Sequence, residues 1–300
     1  MAIQIPVAGM KLKLGPFPAW TLLLTPMPAL TLGVLVMRTQ GVPVRIWAQH
    51  GLLGLAALAG AGWFSRFLRG GVPKAWVVLA ILVPFLMLGG TFLNEGVEGI
   101  HRWVRLGPVL IHSASLAPPQ LLLVLGRPSG ERGFLAALGL GGGVALALAL
   151  QPDAAQTTAF SGAMLALWWR QRTAATWFGV LFLLGCVALA WSRPDGLAPV
   201  RHVEGIVMLA AKGGMPLLLV ALATLAVLPL PFFLHGDPRA RALGVYFTAC
   251  LLTPLLGAFP VPVMGFGASP MLGYALGLAW LLSRPGRQCT VTVTEAMALP

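Results

Sequence analysis

An all-α integral membrane protein of about ten spanning helices is the fold class this sequence predicts, and three observations predict it. Of 300 residues, 58% are hydrophobic and 9% charged, whereas a soluble surface needs roughly a quarter of its residues charged. Apolar runs fill nearly the whole chain, and mean hydropathy is +0.86. At about 20 residues per crossing, ten spans and short loops use up the length and leave no room for a second globular domain. The runs are continuously apolar rather than alternating. Lipid tolerates no unpaired backbone, so such runs must be helices rather than barrel strands.

Taken in order, the runs fall at 18–37, 46–64, 75–93, 109–126, 133–150, 155–169, 174–191, 205–234, 242–259 and 268–283. The first follows Lys11 and Lys13 and has no small-residue cleavage site, so it reads as an uncleaved span. The eighth exceeds the length of one crossing and is expected to include a stretch at the membrane surface. Proline and glycine occur throughout, as in membrane helices whose neighbours repair the broken backbone hydrogen bonds. Residues 1–284 are thus expected to form the bundle, and 285–300, with Cys289 and Glu295, a short tail. Cys186, Cys250 and Cys289 lie far apart, without metal-ligand or disulfide-framework spacing, and read as small apolar residues.

Lysine and arginine set the orientation. With the N-terminus cytoplasmic, that side receives Lys11, Lys13, Arg66, Arg69, Lys74, Arg127, Arg132, Arg170, Arg172, Arg239, Arg241, Arg284 and Arg287. The other side receives Arg38, Arg45, Arg102, Arg105, Arg193, Arg201 and Lys212. Thirteen against seven places both termini inside. The net charge of +12 is then accounted for by loop orientation and acidic headgroups, not by nucleic acid.

The outer cations gather in loops that also carry acids, although the chain has only eight acidic residues. Residues 94–107 hold Glu95, Glu98, His101, Arg102, Trp103 and Arg105, and residues 192–204 hold Arg193, Asp195, Arg201, His202 and Glu204. Asp153 follows Gln151-Pro152 between the fifth and sixth runs. Plain connectors are short and chemically simple. Bland readings exist for each residue alone: an interfacial anchor for Trp103, headgroup contacts for the arginines, and a solvated carboxylate for Glu204. Asp153 reads as a cap on the following helix, with Thr157 or Thr158 in support, and His50 and His112 read as satisfied interfacial histidines.

Four stretches carry a resemblance. Glu98-Gly99-Ile100-His101-Arg102-Trp103 with Leu106-Gly107, Gln151-Pro152-Asp153, Arg201-His202-Val203-Glu204-Gly205-Ile206-Val207, and the run Pro260 to Ser269 occur in that order over nearly the whole chain. Together they resemble motifs of the SEDS proteins (shape, elongation, division and sporulation), the family of FtsW and RodA. The resemblance implies a SEDS-like bundle in the bacterial inner membrane, polymerising lipid II into peptidoglycan for cell shape or division. It implies Glu204 as the catalytic carboxylate, where the family carries Asp, and a class B penicillin-binding protein as partner.

The departures are as specific. The family's I-Q-P-S-E-x-A-K is similar to Ile111-His112-Ser113-Ala114-Ser115-Leu116-Ala117-Pro118, but its Glu and Lys are both absent. Losing both spares the membrane a lone charge. The Ser and Tyr of its S-Y-G-G are Gly265 and Phe266, and the E-E after the catalytic position is Lys212 and Gly213.

Such a polymerase needs a general base at the attacking sugar hydroxyl and positive charge for the departing lipid diphosphate. Glu204 is the candidate base. Arg102, Arg105, Arg201, Lys212 and His101 are candidates for substrate binding, and Asp153, Trp103, Pro260, Pro262, Gly267 and Ser269 for supporting the site. No cofactor or protein-bound metal is implied, although a divalent cation accompanying the diphosphate is compatible with the chemistry. A non-catalytic relative that binds a lipid-linked precursor or a partner is the alternative. A transporter fits least, because the runs hold almost no charge.

Overall fold

The computed structural model describes residues 10–14, 19–71, 74–107, 109–126, 130–169, 171–193, 196–284 and 289–293. Arg127, Arg170, Asp195, Arg287 and Glu295 lie outside the described residues, as does most of the tail.

Each predicted run contains a helix, but the fourth begins later than expected: residues 109–112 are strand, paired back on 103–106, and the helix starts at Ser113. In chain order, a strand β1 (Met10–Leu14) precedes α1 (Ala19–Leu24), α2 (Met27–Thr39), α3 (Val44–Arg69) and α4 (Lys74–Gly90). A hairpin of β2 (Trp103–Leu106) and β3 (Val109–His112) leads into α5 (Ser113–Leu125), α6 (Gly130–Leu150), α7 (Ala154–Trp168) and α8 (Ala174–Ser192). Then come α9 (Ile206–Lys212), α10 (Met215–Val227), α11 (Leu230–Leu234), α12 (Pro238–Leu252), α13 (Ala268–Ser283) and β4 (Cys289–Val293). β4 pairs antiparallel with β1, so these two flanking segments lie side by side.

Among the described residues, five helical segments are long and apolar enough to cross a membrane: Thr21–Thr39, Val44–Arg69, Gly130–Leu150, Ala174–Ser192 and Met215–Leu234. Their outward faces are large and apolar. Trp177 is 62% exposed, and Phe178 and Leu181 are each 68% exposed. A contiguous face of this kind is stable only against lipid. The protein is a multi-span membrane protein.

The eighth run, where a surface stretch is expected, begins with a separate short helix. Gly213-Gly214, with φ +108° at Gly214, separates α9 from α10. Pro229 and Pro231 then divide α10 from α11. Pro231 has no N–H, and the Phe232 N–H turns to Pro229 O, which leaves Leu228 O available. The buried Tyr274 hydroxyl donates to that carbonyl at 2.8 Å, so a side chain of α13 repairs the break.

Small residues make the centre. On α7, Ala155, Ala159, Ala163 and Ser161 are buried, and α7 packs along α12 with α5 and α13 beside them. Without a hydrophobic drive between helices in lipid, such close approach supplies the packing energy. Gln156 on α7 accepts a hydrogen bond from Tyr246 on α12, so both polar groups are satisfied within the core.

Candidate functional site

The loop leaving α4 is shaped by its own sequence. Asn94 Oδ1 accepts the Gly96 N–H at 2.8 Å, and Val97 and Ile100 exchange backbone hydrogen bonds around Glu98-Gly99. Both turn residues have positive φ, +52° and +77°, as a tight hairpin turn of that hand requires. Asn94 Nδ2 reaches Trp103 O, which fixes the hairpin that follows. In it Trp103 stands opposite His112, and their rings meet edge to face with centroids 5.4 Å apart.

Arg102 enters the interior from this hairpin and is 4% exposed. Its Nη2 donates to Pro152 O, and its Nε lies 4.0 Å from Asp153 Oδ2. Asp153, 2% exposed, caps α7: Oδ1 accepts the Gln156 N–H at 3.1 Å, while Thr157 Oγ1 donates to Asp153 O at 2.7 Å. Its other oxygen lies 3.4 Å from His112 Nε2. His112 Nδ1 accepts the Ser115 N–H and so caps α5, which leaves Nε2 as the ring nitrogen that faces Asp153. Burial pushes the Asp153 carboxyl up, but the His112 hydrogen bond and the Arg102 charge outweigh it and hold the group below the usual carboxylate range.

A second set of contacts holds Glu204. The Val203, Glu204 and Gly205 N–H groups converge on Val200 O, and Glu204 Oε2 accepts the Val200 N–H at 2.8 Å. The half-buried carboxylate is therefore oriented by its own loop. That loop is pressed on the segment between α12 and α13. Phe266 N–H donates to His202 O at 2.8 Å, and the two rings meet edge to face. A Cβ on Gly265 would stand 2.3 Å from Val203 O, so glycine is what permits the contact where the resembled motif carries serine. From the other side, Gly33 of α2 leaves room for Met264 O, which a Cβ would meet at 2.3 Å. Burial and the neighbouring Arg201 charge hold His202 below its usual range.

The 260–269 segment joins the two sets, because His112 N–H donates to Ser269 Oγ at 3.0 Å, three residues beyond Phe266. The structure thus brings Arg102, Asp153 and Ser269 together through His112. It brings the Glu204 loop, through His202 and Val203, against the segment that holds Pro260, buried Pro262 and Gly267. Three other candidates stand apart from these bonds. His101 is held by Thr91 O at 3.2 Å and stacks on Phe92. Lys212 lies at the far end of α9, roughly 9 Å along its axis from Ile206. Arg105 is exposed on the hairpin. Among the described residues Arg105, Arg201 and Lys212 form no ion pair, so their charges are unspent.

His112 and Ser115 were not marked as site residues by the sequence. The signal was present in the departure itself: where the resembled motif carries Gln and Glu, this chain carries a histidine and a serine that bond each other at 2.7 Å.

The sequence matches no family model and no curated protein sequence. Comparison of structures does give an answer: the chain has a SEDS-like fold. It is similar to Thermus thermophilus rod shape determining protein RodA in a point-mutant form, at 19% identity and TM-score 0.61, over 88% of this chain and 96% of that one. Unmutated RodA of the same organism matches at 20% identity and TM-score 0.58, over 88% and 95% of the two chains. A chain from a peptidoglycan synthase complex, described as coordinating polymerization and crosslinking, matches at 20% identity and TM-score 0.55, over 88% and 96%.

Proposed function

We propose that this protein is a SEDS-type glycosyltransferase of the bacterial cytoplasmic membrane, with ten spans and both termini inside, which polymerises lipid II at the outer face. The observation that carries this reading is the gathering of all four motif stretches at one end of the bundle, with Glu204 oriented by a backbone N–H rather than left loose. In this reading Glu204 takes the proton from the attacking sugar hydroxyl. Arg201, Arg105 and Lys212 supply the positive charge that the departing diphosphate needs, and Arg offers it bidentate contacts. Arg102 is better assigned as a positioning residue, since it is buried against Pro152 and Asp153 and joins the hairpin to α7.

The His112–Ser115 pair caps the α5 end at positions where the resembled motif carries Gln and Glu. A precursor-binding relative without catalysis is the second reading, favoured by the engagement of one Glu204 oxygen with Val200. The two separate on one assay: purified protein, alone and with a class B penicillin-binding protein, incubated with labelled lipid II. Glycan strands from either mixture, absent with the penicillin-binding protein alone, support the polymerase. Retention of lipid II without polymer from either mixture supports the binder.

A further inference from the structure

The opposite end of the bundle carries a recess that the proposed chemistry does not use. α5 runs from His112 at the candidate site to Leu125, and α7 runs from Asp153 to Trp168, each about 20 Å long. Where they end, with the first turn of α12, they enclose a space of about 730 Å³. That is within the range of about 300–1,000 Å³ typical of ligand sites.

Its walls are of two kinds. Leu125, Phe134, Leu165 and Trp168 line the apolar part, and Phe134 meets Trp168 edge to face with centroids 6.3 Å apart. Gln171 and Arg241 form a polar rim beside Trp169, whose side chain is 78% exposed. A tryptophan so exposed between apolar wall and polar rim marks headgroup level.

The charges around the rim are unequal. Arg239 is 6% exposed, bonded to Asp237 at 2.8 Å and laid over the Trp280 ring at 4.6 Å, so that pair cancels itself. Arg239 reaches this position across Gly126, where a Cβ would stand 2.5 Å from its Cγ. Arg241 remains exposed, in no ion pair among the described residues. Arg132 and Arg172 lie within two residues of the lining Phe134 and Gln171, and the one further acid in these described loops is Glu131. The neighbourhood is therefore cationic after the internal pair is removed.

We infer that this recess is a binding site for one anionic phospholipid, with its phosphate at Arg241 and Gln171 and an acyl chain against Leu125, Phe134 and Leu165. A basic recess between helices, apolar in depth and rimmed at headgroup level, has the chemistry for such a lipid. The inference does not depend on the catalytic reading.

The test is native mass spectrometry of the full chain released from neutral detergent containing equal phosphatidylglycerol and phosphatidylcholine. The expected result is preferential retention of one phosphatidylglycerol, by about fivefold, as for one cationic contact with an anionic headgroup. Arg241→Gln should lose the preference, Arg241→Lys should keep it, and Arg66→Gln, on exposed α3 surface, should leave it unchanged. Millimolar inorganic phosphate should not compete. Equal retention of both lipids, the same preference in Arg241→Gln as in wild type, or displacement by inorganic phosphate would each overturn the inference.

Discussion

His112 shows most clearly how one residue substitutes for a motif. Its ring caps α5 through Nδ1, faces Asp153 through Nε2, and its backbone N–H holds Ser269. His112→Ala should lower stability by about 0.5–2 kcal/mol, the usual worth of a cap. His112→Gln should recover part of that loss, since an amide also offers an acceptor and a donor. Thermal unfolding of the two variants in one detergent checks the order. Asp153 adds a pH dependence of known sign. Its carboxyl is depressed in the folded protein, so its contribution is complete above the ordinary value of about 4 and is lost as pH falls through the lowered folded value. Asp153→Asn should be less stable at neutral pH and should lose less further stability on acidification than wild type, as read from midpoints between pH 7 and pH 3.

At the scale of elements, proline placement and its repair decide where helices break. The apolar run at 205–234 marks a membrane segment longer than one crossing, but does not say where the breaks fall. Gly213-Gly214 sets one, and Pro229 with Pro231 the other; the partner that makes the second tolerable, Tyr274, is 43 residues beyond Pro231 and out of reach of any local pattern. Tyr274→Phe should cost on the order of 1 kcal/mol, as single hydrogen bonds between membrane helices do. It should leave turnover unchanged. Chemical denaturation in mixed micelles measures the first, and the lipid II assay the second.

The same limit explains the site. Asp153 as a cap was legible because Thr157 and Thr158 stand next to it. The burial of Arg102 was not legible, because its partners lie 50 residues away on another helix pair. Gly265 looks in the sequence like a lost serine, but the Val203 carbonyl occupies the space a side chain would need.

Over the whole molecule, composition and run length specify a multi-span bundle, while the fold carries over 88% of the chain a likeness to RodA that no family model registers. The proposed orientation has a direct check. Cysteines introduced at Arg105 or Gly196 should react with an impermeant thiol reagent added to intact cells. A cysteine at Gly236 should not react until the membrane is opened. The reverse pattern would put Glu204 on the wrong side for an outward-facing polymerase.

In the proposed mechanism the Glu204 carboxylate is the base of a lipid II polymerase. That role is tested most directly by Glu204→Gln, which keeps size and the acceptor for Val200 N–H but cannot take a proton. Single-turnover polymerisation of labelled lipid II by purified wild-type and variant protein, each with the same class B penicillin-binding protein, is the measurement. The account predicts a fall of at least about a hundredfold in rate with lipid II binding retained. It also predicts that Glu204→Asp keeps more activity than Glu204→Gln. Polymerisation by Glu204→Gln at the wild-type rate would contradict it.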